Sequence, residues 1–378
     1  MGTSYGNAGF LATDEIFPLA HGRVLRALPR MLLDPLGPLS IRWQEFPRLL
    51  PWYVRYVAAC SSARVNRSID ALAAIQREAG SSWRQFAKRE SLTHLLRESG
   101  AWKLFETDRG LRETAGERSV QSAHGIRWEL YSRAELVARI PELAASVRHG
   151  VFYPDGMSTV NSLAVTSAIF DRFVADGGTF LQTRVDSLRS AGGRIRSLET
   201  TSGDLPADQI VIAAGHLSGR LLKPLGVRVP IVAERGYHIE MQHDEISFDM
   251  PIGAYERGFY MTPMTSGLRL AGTSEFSSAD HDEPPNWARA DILERHVREL
   301  LPGVTKAETG RWMGHRPTLA DFLPALGPVP GFDNLHAAFG HHHLGLTLSA
   351  VTGEILAELL GGGTPPIDLA PFSLARFQ

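Results

Sequence analysis

The sequence predicts an α/β protein, and three stretches carry that prediction. Gln209–Ala214 (QIVIAA) is a continuous apolar run ending at Gly215, as in a central parallel strand buried on both faces. Asn334–Phe339 (NLHAAF) is a second strand-like run; Gly340 breaks it, and Leu348, Val351, Ile355, Leu356 and Leu359 then recur at helical spacing. After Leu225 the pattern changes to the alternation of an antiparallel sheet, clearest in Ile231–Met241, 258–264 and 268–271. A length of 378 residues favours two domains, and 43% hydrophobic residues suffice for a sizeable core.

Composition removes several function classes. A formal net charge of −2 gives no electrostatic case for nucleic acid. The single cysteine, Cys60, excludes an internal disulfide framework and a multi-cysteine metal site, and suits a reducing compartment. The start has neither the basic nor the apolar region of a secretory signal, and no uncharged apolar run approaches the roughly 18 residues of a membrane span. The expectation is a cytoplasmic protein, at most peripheral to the cytoplasmic face of the inner membrane.

In chain order, Gly2–Gly9 (GTSYGNAG) is glycine-rich and predicts a loop. From Leu28 to about Leu104 the spacing is helical, with Leu49, Trp52, Tyr56, then Ile69, Leu72, Ile75, then, after Gly80-Ser81-Ser82, Trp83, Phe86, Leu92 and Leu95. Tyr131–Ile140 predicts a short helix stopped by Pro141. Ser158-Thr159 can cap another, with Leu163, Ile169, Phe170, Phe173 and Val174 as its buried stripe. Strand-like segments follow at 179–182, 185–189 and 195–200. Thr265-Ser266-Gly267 signals a hairpin, and 284–300 an exposed charged helix.

The segment from Asn334 has the strand, glycine turn, helix order that aims unpaired backbone N–H groups at an anion. No phosphate loop G-x-x-x-x-G-K-[ST] occurs here, which disfavours a nucleoside triphosphate. A reduced flavin, negatively charged in its pyrimidine ring, suits the site better.

Trp312, Gly314, Arg316-Pro317, the run Leu323–Pro328 (LPALGP) and the run Gly340–Thr347 (GHHHLGLT) together resemble the D-amino-acid dehydrogenase branch of the FAD-dependent amino-acid oxidoreductases, a family that includes glycine oxidase, sarcosine oxidase and D-amino-acid oxidase. The resemblance implies a glutathione-reductase-like FAD-binding domain formed by 1–25, 151–225 and 310–378. A substrate domain of mixed sheet plus helices would use 26–150 and 226–309. It implies FAD as cofactor, a small amino-acid substrate, and a membrane quinone or electron carrier as acceptor. The family's first strand–turn–helix with G-x-G-x-x-G is not in the sequence, so a truncated N-terminus and severely reduced FAD affinity are expected. The rival readings are a secondary amine or imino-acid substrate (sarcosine, glycine, D-hydroxyproline), or an inactive fragment without flavin.

Site residues follow from the same resemblance. Ser4, Tyr5, Asn7, Ala8 and Gly9 match the loop beside the flavin ring. Val185, Ala214 and Gly215 match positions along its adenosine and phosphate arm. Gly340, Leu344, Gly345, Leu346 and Thr347 match the turn whose N–H groups meet the pyrimidine. Arg316 matches the arginine that anchors the substrate carboxylate; a planar guanidinium suits that task, although an arginine before proline is usually just a surface loop residue. Tyr260 matches a tyrosine over the flavin near the same carboxylate. Tyr237 and His238 point to opposite sides of one strand, so at most one faces the pocket. Among His341–His343, consecutive side chains diverge and no carboxylate stands at ligand spacing, so no metal site is expected; by the resemblance, His343 is the one expected to face substrate or flavin.

Overall fold

A computed structural model describes residues 2–22, 37, 39–41, 44–242, 246–277 and 283–378. Among them, a nine-stranded mixed sheet carries the strands Ile231–Met241, Phe259–Met264, Gly267–Ser277 and Glu308–Leu319 at one end and Ile252–Ala254 and Ala101–Phe105 toward the other. The predicted hairpin is present, with Phe259–Met264 antiparallel to Gly267–Ser277. A separate small sheet holds Ile210–Ile212 parallel to Leu335–Phe339, with Ala325–Pro328 antiparallel on the far side. The apolar run thus forms a parallel strand, but only over Ile210–Ile212 and, among the described residues, at the edge of its sheet rather than at the expected centre; the helix Ser349–Leu360 follows the second strand.

One long helix, Ser62–Arg89, braces the molecule. Gly80 was expected to separate two helices, yet the helix runs through it: a single glycine costs only about 1 kcal/mol against alanine, and this stretch buries Ala79, Ser82 and Trp83. Its apolar face shares a core with Leu344, Leu348, Val351 and Ile355 of the C-terminal turn and helix. The Trp83 indole N–H reaches the carbonyls of Leu346 and Thr347 at 3.0 and 3.1 Å. Gln76 Nε2 donates to the carbonyls of Ala12 and Glu15, each at 3.0 Å. The helix therefore holds the N-terminal loop and the C-terminal turn against each other. The beginning of the predicted helical stretch, at Leu28, lies outside the described residues, and after Arg89 the chain passes to strands at Leu96–Arg97 and Ala101–Phe105 rather than continuing as helix.

Other expectations are corrected. Glu129–Ser132 is a strand, and only Arg133–Arg139 is helical, started by a Ser132–Glu135 capping box. The helix Ser162–Ala175 is capped by Asn161, whose side chain accepts from the N–H groups of Leu163 and Ala164, while Ser158-Thr159 lie in a strand. Its predicted stripe is not buried: Leu163, Phe170, Phe173 and Val174 are exposed, Phe173 at 48%. Thr179–Gln182 is not a strand, since none of the described residues pairs with it. The charged helix Ala288–Leu300 buries one face, including Arg289, whose guanidinium reaches the carbonyls of Gly37 and Ser274 at 2.8 and 3.0 Å. The strand Glu308–Leu319 crosses the domain boundary drawn at 310, since it pairs along its length with Ile231–Met241.

Candidate active site

Side chains on one face of a strand recur every second residue, and this gives the site its floor. Glu234, Gly236 and His238 stand opposite Arg316, Gly314 and Trp312 on the neighbouring strand. The glycines make room: a Cβ at Gly236 would overlap the Arg316 guanidinium, and one at Gly314 or at Gly6 would overlap the Trp312 indole. Trp312 stacks on His238 with ring centroids 5.3 Å apart, and Tyr5 meets it edge-on at 5.9 Å.

Above this floor lies a cavity of about 390 Å³ bordered by Asn7, Ala8, Glu15, Lys103, Glu234, Tyr260, Trp312, Arg316 and His343. Arg316 Nη1 donates to Glu234 Oε1 at 2.9 Å and to Ser274 Oγ at 3.2 Å. Nη2 and Nε have no partner among the described residues, so one edge of the planar fork is unspent. Glu234 is fixed further by Ser274 and Thr318 hydroxyls at 2.7 and 2.8 Å. Burial would raise the Glu234 pKa, but Arg316 and the two hydroxyls outweigh it, leaving the carboxyl below its ordinary range and ionised.

A second ion pair lies on the opposite part of the wall. Lys103 Nζ donates to Glu15 Oε1 at 3.2 Å, and the Tyr260 hydroxyl donates to the same oxygen at 3.2 Å. Burial works against charge on both partners, yet their mutual attraction prevails: Glu15 is held below, and Lys103 above, the usual value. Next to them Asp14 is buried, and burial together with the Glu15 charge raises it to about 7. Tyr260 is kept a neutral phenol by burial and by Glu15. Its hydroxyl is thus engaged with an internal carboxylate, as one edge of Arg316 is.

His343 borders the cavity, and burial depresses its pKa, which favours the neutral ring. His342 Nδ1 is 2.9 Å from His343 Nδ1, His342 Nε2 is 2.8 Å from the Phe322 carbonyl, and His341 Nε2 is 3.0 Å from Thr352 Oγ1. The three rings take partners in different directions, and no group of three ligands suited to a metal occurs among the described residues. Tyr237 borders the cavity too, but its ring is in the core and its hydroxyl accepts from the Asn286 N–H at 3.1 Å and contacts Glu275 Oε2 at 3.3 Å. On its neighbour, His238 Nδ1 is 3.1 Å from the Gly6 carbonyl.

The N-terminal loop is a fixed structure. Asn7 Oδ1 accepts from the Gly9 N–H at 2.7 Å, and the Arg269 guanidinium ties down the carbonyls of Tyr5 and Asn7 at 2.9 and 3.0 Å. The Ser4 carbonyl closes a turn with the Asn7 N–H at 3.2 Å. Gly9 has φ +70°, a conformation that favours glycine. At the other end of the chain, Gly340 (φ +82°) turns the chain from Leu335–Phe339 into the short 3-10 segment His342–Leu344. The N–H groups of Gly345, Leu346 and Thr347 have no acceptor among the described residues, while Thr347 Oγ1 accepts from the Ala12 N–H at 3.1 Å. Leu344 and Leu346 direct their side chains into the core. Three consecutive free donors beside a helix start fit the electron-rich pyrimidine edge of a flavin.

Ala214 and Gly215 follow the strand Ile210–Ile212, and a Cβ at Gly215 (φ +57°) would meet no protein atom within 4 Å. Val185 begins the strand Val185–Ala191 in a third sheet. Sequence reasoning passed over Glu15, Lys103 and Glu234. The pairing of Glu234 with Arg316 exists only through the sheet register; Lys103 in Ala101–Phe105 (AWKLF) breaks an apolar run, which was a usable signal.

The family model for FAD-dependent oxidoreductases matches residues 1–359. The chain is 32% identical to a D-amino-acid oxidase of Bradyrhizobium diazoefficiens over 99% of its own length and 89% of the relative's. It is 28% identical to a D-amino acid dehydrogenase of Rhizorhabdus wittichii, covering 99% and 91%. The glycine oxidase of Geobacillus kaustophilus shares the fold with a TM-score of 0.76 at 21% identity, over 99% of this chain and 89% of that one. No described helix is long and apolar enough to cross a membrane. With its α/β architecture and its flavin-compatible turn, the chain belongs to the FAD-dependent oxidoreductase family typified by D-amino-acid oxidase, and its cofactor is FAD.

Proposed function

We propose that this protein oxidises a D-amino acid to a 2-oxo acid. The observation that carries the reading is the half-spent guanidinium of Arg316, aligned by Glu234 on the cavity wall, whose Nη2 and Nε have no partner among the described residues. A carboxylate is the group that a guanidinium edge binds through two parallel charge-assisted bonds. The names of the relatives, D-amino-acid oxidase and D-amino acid dehydrogenase, support the same substrate class.

Ser4–Gly9 and Gly340–Thr347 would hold the flavin ring, with Ala214, Gly215 and Val185 along the rest of the cofactor. Bound there, FAD would supply the acceptor for the hydride on the substrate's Cα. The protein's own part is placement. Arg316 fixes the carboxylate, Trp312 and the glycines beside it shape the floor, and neutral His343 presents a ring nitrogen that can accept a hydrogen bond from the amine. Tyr260, bonded to Glu15, lines the wall beside the substrate. Tyr237 acts from the core by stiffening the strand below. A FAD-binding domain of 1–25, 151–225 and 310–378 and a substrate domain of 26–150 and 226–309 are the proposed division, except that the strand Glu308–Leu319, paired with Ile231–Met241, goes with the substrate domain. A quinone or electron carrier at the cytoplasmic face of the inner membrane is the proposed electron acceptor.

The test is product analysis with flavin-loaded protein against D-amino acids, their L-enantiomers, glycine and N-methyl amines. Formation of 2-oxo acid and ammonia from D-enantiomers supports the reading. Turnover confined to N-methyl amines, with release of the primary amine, would replace it.

A further inference from the structure

We propose that the Lys103–Glu15 pair is the subsite for the substrate's side chain and that it selects a carboxamide. The inference rests on Arg316 holding the α-carboxylate. Lys103 and Glu15 border the same cavity as Arg316, with side-chain exposures of 18% and 23%. The Lys103 ammonium, 5.5 Å from the centre of the Tyr153 ring, donates one hydrogen bond, to Glu15 Oε1, and its other two N–H groups have no acceptor among the described residues. Glu15 Oε1 takes both Lys103 and the Tyr260 hydroxyl, and Oε2 has no partner among the described residues. The wall thus presents a donor beside an acceptor.

A carboxamide is the complementary group, its oxygen accepting from Lys103 while its NH₂ donates to Glu15 Oε2. Charge balance points the same way. Arg316 is matched by Glu234 and Lys103 by Glu15, so a charged side chain would give up part of its hydration on this wall without meeting an unmatched counter-charge. An apolar side chain would strip water from the pair and return no hydrogen bond. The pair is not needed to fasten its loop, because Gln76 holds the carbonyls of Ala12 and Glu15, and Thr347 holds the Ala12 N–H.

Calorimetric titration of the protein with acids lacking the amine tests this without turnover. The probes are succinamate and glutaramate, the apolar acids butyrate and valerate, and the diacids succinate and glutarate. The carboxamide acid of better-fitting length is expected to bind at least about tenfold more tightly than the apolar or diacid probe of the same chain length. In Lys103→Met that preference over the apolar acid falls below about threefold, and in Glu15→Gln the same collapse is expected. Equal affinities in the wild type, or an undiminished preference in either variant with a native circular-dichroism spectrum, overturn the proposal. Arg316→Ala, run alongside, separates the two readings. Weakened binding of every acid there with no carboxamide preference in the wild type sinks the subsite alone; wild-type affinity there, or no binding to the wild type at all, sinks the anchor and the subsite together.

Discussion

Arg316 and Glu234 face each other across neighbouring strands, and each has a task that the other makes possible. Glu234 takes one edge of the guanidinium and so aims the other at the cavity. Removing the arginine has two costs. Arg316→Ala is expected to raise KM for the amino acid by at least tenfold by removing the bidentate bond. It also leaves the Glu234 carboxylate buried without its cation, lowering stability by about 3 kcal/mol; steady-state kinetics and thermal melts check the two effects separately. Gly236→Ala acts on the same group: its Cβ would come within 2.6 Å of Cζ, Nη1 and Nη2, so KM should rise, and Tm should fall by less than in Arg316→Ala because the cation is strained against Glu234 but still present. Asp14 provides a pH test. Its pKa is raised from 3.8 to about 7, so the folded state holds a proton that the unfolded state releases, and stability falls as pH rises through that window. Asp14→Asn should therefore gain on the wild type as pH increases from 4 to 8, reaching about 2 kcal/mol or more at pH 8 in denaturant titrations. A constant difference between the two proteins would remove Asp14 as the cause.

At the scale of elements, the helix Ser62–Arg89 sets the spacing between the N-terminal loop and the C-terminal turn. Trp83 holds two carbonyls of that turn. Trp83→Phe keeps most of the buried area and loses both bonds, so it should cost about 1–3 kcal/mol and speed flavin release, measured by dialysis and absorbance. Gly345→Val probes the turn differently. Gly345 has helical φ −57°, and a Cβ there would meet only His341 Cβ at 3.8 Å. The fold should tolerate valine, while flavin content falls because the backbone can no longer approach the ring. The turn was legible in the sequence because a glycine, a strand-like run and a helical repeat lie next to one another in Asn334–Leu360. Arg316 was legible only through the resemblance carried by Trp312, Gly314 and Arg316-Pro317; that these residues share one face of the strand Glu308–Leu319 was not read from the sequence. What stayed hidden was non-local. Glu234 opposite Arg316 depends on strand register, and Lys103 meets Glu15 across 88 residues of chain. Gly80 misled because its helix is stabilised by burial rather than by propensity.

For the molecule as a whole, the cavity is the meeting place of the N-terminal loop, the large sheet and the turn at His342-His343, which explains why its residues are so scattered in sequence. In the helix Ser162–Ala175 apolar pattern and burial disagree: Phe170 and Phe173 are exposed at 42% and 48%. Changing Phe173 to Glu should move Tm by no more than a degree or two, as at other exposed sites, and should lower light scattering at high protein concentration. The account depends above all on a flavin lying beside a carboxylate anchored by Arg316. The direct measurement is the flavin absorption spectrum of the loaded protein during titration with butyrate, in the wild type and in Arg316→Ala. The account predicts a saturable spectral change in the wild type that is lost or shifted to at least tenfold higher acid in the variant at equal flavin content. Superimposable titration curves for the two proteins would contradict it.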